Sequence, residues 1–225
     1  MLAITQARMS SKRLPGKVLR SVAGMPVLGW VHRRLSLATQ VSRVVVATSD
    51  HASDDPVEEY CRKQGIAFYR GPLDDVAQRF QDCIDVEGAP AFIRVTGDSP
   101  LIDPVVIDNV VALFKSSGCE LATNVQVRSF PKGQSVEVMQ SGSFNRGRAR
   151  FRDAADREHV TRYFYEHANE MNIRNLSSDE AMGDLQLSID TAEDLEAIDY
   201  ILNRAGGDVS WSEAARLRLG LEEQK

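Results

Sequence analysis

The sequence contains few of the residues that mark metal-binding, disulfide-bonded or membrane-spanning proteins. Its three cysteines, Cys61, Cys83 and Cys119, form no CxxC pair, which predicts reduced and unreactive thiols, with a nucleophilic cysteine as the alternative. The four histidines are not spaced like metal ligands, so the pattern argues against zinc. No apolar run approaches the roughly 18 residues that a membrane-spanning helix needs.

Positive charge is also scarce over the chain as a whole. The 225 residues include 27 basic and 32 acidic side chains, giving a net charge of -5. This balance argues against general binding to nucleic acid or to anionic membranes. The first residues lack a cationic segment followed by an apolar one, as a secretory signal would have. We therefore expect a cytoplasmic protein with one domain, spanning residues 1–225, that acts on small molecules.

Cations are nevertheless concentrated near the amino terminus. The apolar run 2–4 is typical of a buried parallel strand, and the segment that follows is polar and contains Pro15 and Gly16. This loop carries the cations Arg8, Lys12, Arg13 and Lys17 and the hydroxyl groups of Ser10 and Ser11. Cations gathered in an acidic chain favour a local anion, above all a polyphosphate. The loop lacks the glycine and hydroxyl spacing of a Walker A motif, and a solvated basic loop is the alternative.

Apolar strands and amphipathic helices alternate from the amino terminus to about residue 118. This alternation predicts an α/β fold with a doubly wound, mostly parallel sheet. Residues 121–140 break the pattern, and their two short β-branched runs favour a hairpin arm or lid that a dimer could use. Residues 185–189 alternate like a strand, and Thr191 followed by Asp194 predicts a capping box at a helix start.

Two aspartates are predicted at the ends of strands. Asp98 follows the predicted strand 91–95, and Asp190 follows the predicted strand 185–189. Ligands of open α/β sheets bind at the carboxyl ends of the strands. Carboxylates beside a cationic loop suit Mg²⁺, which takes one or two protein carboxylates and completes its coordination with phosphate and water. Each aspartate also has an ordinary alternative, since Asp98 could serve a turn and Asp190 could cap a helix.

Seven segments, taken together and in order, resemble one enzyme family. They are ITQARMSSKRLPGKVL, VVVATSD, GPLDDVAQRF, RVTGDSPLID, FPKGQSVEV, REHVT and LSIDTAEDLEAI. They are similar to the cytidylyltransferases of the spore-coat polysaccharide biosynthesis SpsF type, which are relatives of the CMP-sialic acid and CMP-Kdo synthetases. The resemblance implies a Rossmann-like fold of the nucleotide-diphospho-sugar transferase type and a homodimer.

The same resemblance implies a reaction. A hydroxyl of an acidic sugar of the 2-keto acid type would attack the α-phosphorus of CTP, releasing pyrophosphate and leaving a CMP-sugar for surface polysaccharide synthesis. Mg²⁺ is the implied cofactor, held by Asp98 and Asp190. Arg13 and the loop backbone would bind the β- and γ-phosphates, while Lys17 would meet the α-phosphate. Arg13, Lys17 and Asp98 are thus the implied catalytic residues.

Substrate contacts are also implied by the resemblance. The nucleotide contacts are Ala7, Arg8, Ser10, Ser11, Arg13, Lys17, Thr48 and Arg79. The acceptor contacts are Thr96, Asn124, Gly133, Glu137, Arg157 and His159. Two of these residues have alternatives, because Arg79 could pair with Asp75 four residues earlier and His159 could serve helix packing.

Other functions stay open at this point. A nucleotidyltransferase that uses a sugar phosphate and another nucleoside triphosphate would need a similar loop. A non-catalytic nucleotide-binding relative could keep the fold without the reaction. The chain has no DxD motif beside a nucleotide-binding strand, which argues against a glycosyltransferase.

Overall fold

A computed structural model describes residues 1–223, so the last two residues of the predicted domain lie outside the described range. The strands are β1 (Leu2–Gln6), β2 (Ser21–Val22), β3 (Met25–Pro26), β4 (Arg43–Ser49), β5 (Ala67–Gly71), β6 (Ala91–Thr96), β7 (Leu121–Thr123), β8 (Glu137–Gln140) and β9 (Ile173–Asn175). The helices are α1 (Val27–Leu37), α2 (Asp55–Gln64), α3 (Val76–Glu87), α4 (Pro104–Ser117), α5 (Ser141–Arg148), α6 (Ala154–His159), α7 (Arg162–Glu166), α8 (Ala192–Ala205) and α9 (Trp211–Glu222). None of the helices within this range combines the length and the apolar character that crossing a bilayer requires.

The central sheet has seven strands in the order β5-β4-β1-β6-β8-β7-β9. Strands β5, β4, β1 and β6 pair in parallel, and β8 runs antiparallel to both of its neighbours. The predicted α/β class with a mostly parallel, doubly wound sheet is confirmed. Gln6 pairs with Ala47 on one side and Thr96 on the other, so the carboxyl ends of β1, β4 and β6 lie together.

Apolar side chains cover both faces of the sheet, because successive strand residues point to opposite sides. Ala3 and Ile93 belong to the core cluster that packs against α1 and α4. Ile4 and Phe92, one residue away in each strand, belong to the cluster that packs against α3 and contains Phe144 of α5. The sheet is therefore the middle of three layers, as its continuous apolar runs require.

The segment 121–140 differs from the predicted arm. Its two strands do pair antiparallel, but β8 lies inside the sheet between β6 and β7 instead of projecting from it. Val138 and Met139 are both buried and enter the clusters on opposite faces of the sheet. A strand that is apolar on both faces needs cover on both sides, which an exposed arm would not provide.

The prediction of a strand at residues 185–189 is wrong. This segment makes a single parallel bridge, between Lys132 and Gln186, and is otherwise irregular. The Lys132 amide donates to the Leu185 carbonyl at 2.9 Å, and the Leu187 amide donates to the Lys132 carbonyl at 2.8 Å. The capping box that follows is confirmed, with the Thr191 side chain and Asp194 bonding each other's backbone amides at the start of α8.

Residues 154–166 form two short helices, α6 and α7, instead of one continuous helix. The division falls at Val160, which has a φ of 56° and is fully buried. A β-branched residue rarely adopts positive φ, so the surrounding packing must hold it there. The Thr161 amide donates to the His159 carbonyl across this tight turn at 2.5 Å.

Candidate active site

The basic loop after β1 folds on its own backbone. The amides of Ser11 and Gly16 both donate to the Met9 carbonyl, each at 2.9 Å. Gly16 has a φ of 71°, a left-handed conformation that glycine adopts without strain, and it begins the short 3₁₀ helix Lys17–Leu19. The loop thereby directs Lys17 back over the carboxyl edge of the sheet.

Lys17 lies at the centre of an ionic cluster. Its Nζ is 2.7 Å from Asp98 Oδ2, 3.1 Å from Asp190 Oδ1 and 2.6 Å from the Ile189 carbonyl oxygen. An ammonium group has three donors, and all three have an acceptor here. Arg13 Nη2 lies 2.9 Å from the same Asp190 oxygen. The two predicted acids, 92 positions apart in the sequence, therefore meet at one lysine.

Backbone contacts place the two acids. The Gly97 amide donates to the Gln6 carbonyl at 2.9 Å, and a Cβ at Gly97 would lie 2.5 Å from that oxygen, so glycine is required there. The Asp98 carbonyl accepts from the Ile189 amide at 2.9 Å. This bond ties the irregular segment before α8 to the end of β6. Asp190 reaches the site through that tie and not as the end of a strand.

Asp54 is a supporting residue that sequence reasoning missed. Its carboxylate is fully buried and accepts from the Met9 amide at 2.7 Å and from the Ser49 amide at 3.3 Å. The Ser49 hydroxyl donates to the same carboxylate. Asp54 thus joins the basic loop to the end of β4. Nothing in the sequence separates it from its exposed neighbour Asp55.

Glu158 is a second supporting residue that the sequence did not indicate. Arg8 binds it through two parallel contacts, Nη1 to Oε2 at 3.0 Å and Nη2 to Oε1. Two-point contacts between a guanidinium and a carboxylate fix geometry as well as charge. The pair joins the loop to α6, and it occupies the Arg8 guanidinium that we predicted at the nucleotide.

The other predicted nucleotide contacts differ in exposure. Ser10 is exposed and Ser11 is half-buried in the loop. Ala7 and Thr48 are buried, and the Ala7 amide donates to the Ala47 carbonyl at 3.1 Å. Within residues 1–223 the buried Thr48 hydroxyl has no hydrogen-bond partner. Neither the Ala7 nor the Thr48 side chain is exposed to a nucleotide base in this structure.

Arg79 takes neither of the two predicted roles in this structure. Its guanidinium is buried and donates to the carbonyls of Pro72, at 2.7 Å from Nη2, and Leu73, at 3.1 Å. Asp75 instead caps α3 by accepting from the Gln78 amide at 2.8 Å. Burial lowers the pKa of Arg79, and the nearby Asp54 carboxylate opposes that change. Arg79 thus supports the loop between β5 and α3.

Two predicted acceptor contacts serve the scaffold. Asn124 is buried, and its amide donates to the Gln134 carbonyl at 2.6 Å and accepts from the Val136 amide at 2.9 Å. Gly133 has a φ of 98°, and a Cβ there would lie 2.6 Å from the Leu187 carbonyl carbon. Both residues hold the chain before β8 against its neighbours, so the structure gives them a packing role.

A third predicted acceptor contact, Glu137, lies inside the sheet. Its side chain is 4% exposed and forms an ion pair with Arg94, the residue opposite it in the β6–β8 ladder. The Tyr165 hydroxyl donates to Glu137 Oε1 at 2.6 Å, and burial raises the pKa of that tyrosine well above its ordinary value. This carboxylate is enclosed by protein groups.

The remaining predicted acceptor contacts lie nearer the surface. The Thr96 hydroxyl is half-buried at the end of β6, 3.0 Å from the Ser99 hydroxyl. Arg157 and His159 are exposed on α6. Arg157 Nε lies 3.9 Å from Asp75 Oδ2, at the outer limit of an ion pair. These side chains are open to a ligand.

The thiols have the unreactive character predicted for them. All three cysteines are free and buried. Burial raises the pKa of Cys61 and of Cys83 to about 12. A thiol with such a pKa carries almost no nucleophilic thiolate near neutral pH.

Comparison with known proteins identifies the family. Residues 2–209 match the family model described as Cytidylyltransferase. The chain belongs to this cytidylyltransferase family. The cytidylyltransferase is 36% identical to the spore coat polysaccharide biosynthesis protein SpsF of Bacillus subtilis, with 96% of this chain and 93% of that protein aligned. The resemblance to SpsF-type enzymes seen in the motifs is thereby confirmed.

Solved structures of other proteins agree with this assignment. The structure of a cytidylyltransferase from Leptospira borgpetersenii superposes on this cytidylyltransferase with a TM-score of 0.93 and 28% identity, covering 99% of this chain and 94% of that one. The CMP:2-keto-3-deoxy-manno-octonic acid synthetase, solved in complex with CTP, superposes with a TM-score of 0.70 at 17% identity, covering 91% and 98% of the two chains. At that identity the second comparison establishes the fold alone.

Proposed function

We propose that this cytidylyltransferase transfers CMP from CTP to a hydroxyl of an acidic sugar of the 2-keto acid type and releases pyrophosphate. The observation that carries the proposal is the cluster in which Lys17 meets both Asp98 and Asp190 beside a cationic loop. The name of the Bacillus relative supports a place in surface polysaccharide synthesis, and the CTP complex of the synthetase supports the nucleotide.

The loop residues would bind the triphosphate. Arg13 is exposed, with two-thirds of its side chain open to solvent, and it already contacts an oxygen at the edge of the cluster. Lys17 would move from the carboxylates to the α-phosphate when CTP binds. Phosphoryl transfer depends on alignment and on neutralising negative charge more than on a protein nucleophile, and these cations can supply both.

The two carboxylates fit a magnesium ion. Their side chains are 25% and 31% exposed for Asp98 and Asp190, and both contact one cation in this structure, the Lys17 ammonium. Residues 1–223 contain no group of three or more His, Cys, Asp or Glu side chains able to hold a metal. Two carboxylates with open positions for phosphate and water suit Mg²⁺. When bound, Mg²⁺ would neutralise phosphate charge and lower the pKa of the attacking hydroxyl.

Pyrophosphate release across a matrix of substrates tests the proposal. Each nucleoside triphosphate is combined with Mg²⁺ and with a panel of keto-acid sugars or a panel of sugar phosphates. We expect release with CTP and at least one keto-acid sugar. Release only with a sugar phosphate and another nucleotide would overturn the proposed substrates. CTP binding without Mg²⁺ dependence and without any release would favour a non-catalytic protein.

We further propose a cytoplasmic homodimer, in line with the family resemblance. Sedimentation at micromolar concentration tests the oligomeric state directly. A single species with the mass of a dimer is the expected result, and a monomer would contradict this part of the proposal.

A further inference from the structure

The backbone of Asp190 is held from outside the Lys17 cluster. The segment 185–189 before it makes a single bridge and is otherwise irregular, so a strand ladder does not fix its position. The Asp190 amide donates to Asp194 Oδ2 at 3.0 Å, and the Thr191 amide donates to the same oxygen at 3.0 Å. Asp194 therefore anchors the backbone that carries one of the two carboxylates of the cluster.

Asp194 does more than cap α8. In the capping box its carboxylate accepts from the Thr191 amide, and the Thr191 hydroxyl accepts from the Asp194 amide at 3.2 Å. The bond from the Asp190 amide is an additional one that a capping box does not need. One carboxylate oxygen thus serves both the start of the helix and the residue that contacts Lys17 and Arg13.

The other oxygen of this carboxylate faces the last helix. Arg218 Nη2 of α9 lies 3.4 Å from Asp194 Oδ1, and the two side chains are only 13% and 9% exposed. Arg218 Nε also donates to Glu222 Oε1 at 3.2 Å, so the guanidinium is held from its own helix as well. A carboxylate that is largely buried requires a cation or hydrogen-bond donors beside it, and Arg218 supplies both.

The packing of α9 against α8 holds this contact in place. Ala214 is fully buried in the apolar cluster that contains Ile198 and Ile201 of α8. Arg218 follows Ala214 by four residues and therefore lies on the same side of α9. It also lies outside the residues 2–209 that the family model matches, so that match does not imply a role for it.

The side-chain contacts of Asp190 would change in the proposed reaction, whereas its backbone bond can persist. Lys17 and Arg13 both contact Asp190 Oδ1 in this structure, and both would turn to the phosphates when CTP binds. The bond from the Asp190 amide to Asp194 involves neither cation. Outer partners of this kind orient the residues that bind a metal and tune its affinity.

We propose that Asp194 is a positioning residue for Asp190 and that Arg218 of the last helix holds Asp194 in the required orientation. This inference rests on the proposed function, because it concerns a residue that is expected to bind the metal. Asp194 and Arg218 act through Asp190 and touch neither substrate. Their replacement should therefore weaken metal binding.

The first test separates the positioning role from helix capping. Asp194→Ala and Thr191→Ala each remove one side chain of the capping box, but only the first removes the acceptor of the Asp190 amide. Mn²⁺ is titrated into each CTP-saturated protein, and the concentration that gives half of the rise in melting temperature is measured. We expect Asp194→Ala to raise this concentration roughly tenfold or more. Thr191→Ala should lower the starting melting temperature and leave this concentration unchanged.

The second test compares two arginines of α9. Arg218→Gln removes the charge beside Asp194, whereas Arg216→Gln removes the same charge from an exposed position. We expect Arg218→Gln to raise the Mn²⁺ concentration severalfold, Arg218→Lys to restore most of the affinity, and Arg216→Gln to match the wild type. Wild-type values in Asp194→Ala would overturn the inference, and wild-type values in Arg218→Gln would overturn the part assigned to Arg218.

Crystal structures of the ligand-free variants separate failure of this inference from failure of the proposed function. If the wild type does not respond to Mn²⁺, the metal role proposed for Asp190 fails, and its position is compared directly. We expect Asp194→Ala and Arg218→Gln to move Asp190 Oδ1 out of hydrogen-bonding distance of Lys17 Nζ, which lies 3.1 Å away here. If Asp194→Ala does not fold, Arg218→Gln serves in both tests. An Asp190 that keeps its position and its contact with Lys17 would overturn the inference.

Discussion

A charged cluster beyond the strand ends and a charged pair within the sheet differ in how much solvent surrounds them. Lys17, Asp98 and Asp190 meet beyond the strand ends, and a quarter or more of each carboxylate side chain reaches solvent. Arg94 and Glu137 face each other within the β6–β8 ladder, where only 4% of the glutamate side chain is exposed. The first cluster can exchange its internal contacts for a ligand, whereas the second holds two strands together.

Replacement of Lys17 should have the largest effect on activity. Lys17→Met removes the ammonium that joins the two carboxylates, and we expect kcat/KM for CTP-dependent pyrophosphate release to fall by roughly 10³-fold. Because only 11% of the Lys17 side chain is exposed, the melting temperature should fall as well, and activity is therefore compared at a temperature where both variants are folded. Lys12→Met is the matched control, since Lys12 is an exposed cation of the same loop. Comparable activity in the two variants would show that Lys17 has no catalytic role.

The acid at the end of β6 should have the next largest effect. Asp98→Asn keeps the shape of the side chain but removes its charge, and we expect a fall in kcat of roughly 10²-fold or more. Asp184→Asn, at an exposed position, serves as the control. Near-normal pyrophosphate release by Asp98→Asn over a range of Mg²⁺ concentrations would contradict its assignment to the metal.

Mutation of the enclosed Arg94–Glu137 pair should instead lower stability and leave the KM values nearly unchanged. Glu137→Gln leaves the Arg94 guanidinium beside a neutral partner, and we expect a loss of about 2 kcal/mol in the free energy of unfolding by urea. The KM values of the folded enzyme should stay near those of the wild type. Glu59→Gln breaks an exposed pair with Lys63 and should cost less than about 1 kcal/mol. A raised acceptor KM with unchanged stability would restore Glu137 as a substrate contact.

Asp54 combines features of both clusters, because its carboxylate is enclosed by protein groups and supports the basic loop after β1. Asp54→Asn cannot accept from both Met9 and Ser49 as the carboxylate does, and we expect a loss of about 1 to 2 kcal/mol in stability. The KM for CTP should rise severalfold with kcat nearly kept. Asp55→Asn, at the exposed neighbouring position, should change neither. A stability loss without any change in the KM for CTP would make Asp54 purely structural.

The burial of each strand decides which elements the sequence predicts correctly. The apolar run at residues 2–4 correctly predicted β1, and the predicted strand 91–95 corresponds to β6, since strands buried on both faces are rich in apolar residues. The ends of these strands then placed Asp98 correctly. The alternation at residues 185–189 did not produce a strand, because its backbone contacts Lys132 at one bridge only. A period-two pattern indicates a strand only where a continuous partner is present.

Residue type alone could not separate open polar groups from satisfied ones. Asn124 and Glu137 have the polarity that a sugar site needs, yet their atoms are bonded within the protein. Arg8 pairs with Glu158, 150 positions away, and no local pattern specifies such a contact. Local sequence sets the ends of strands and helices, whereas tertiary packing decides which side chains keep free donors and acceptors.

A crystal structure with CTP, and with Mn²⁺ in place of Mg²⁺, would show whether Asp98 and Asp190 hold the metal. The anomalous signal of manganese locates the metal independently of the protein atoms. We predict one peak at bonding distance from carboxylate oxygens of both Asp98 and Asp190, with the Lys17 Nζ moved to the α-phosphate. A metal held elsewhere, or Lys17 still between the two carboxylates with CTP bound, would contradict the roles assigned to these three residues.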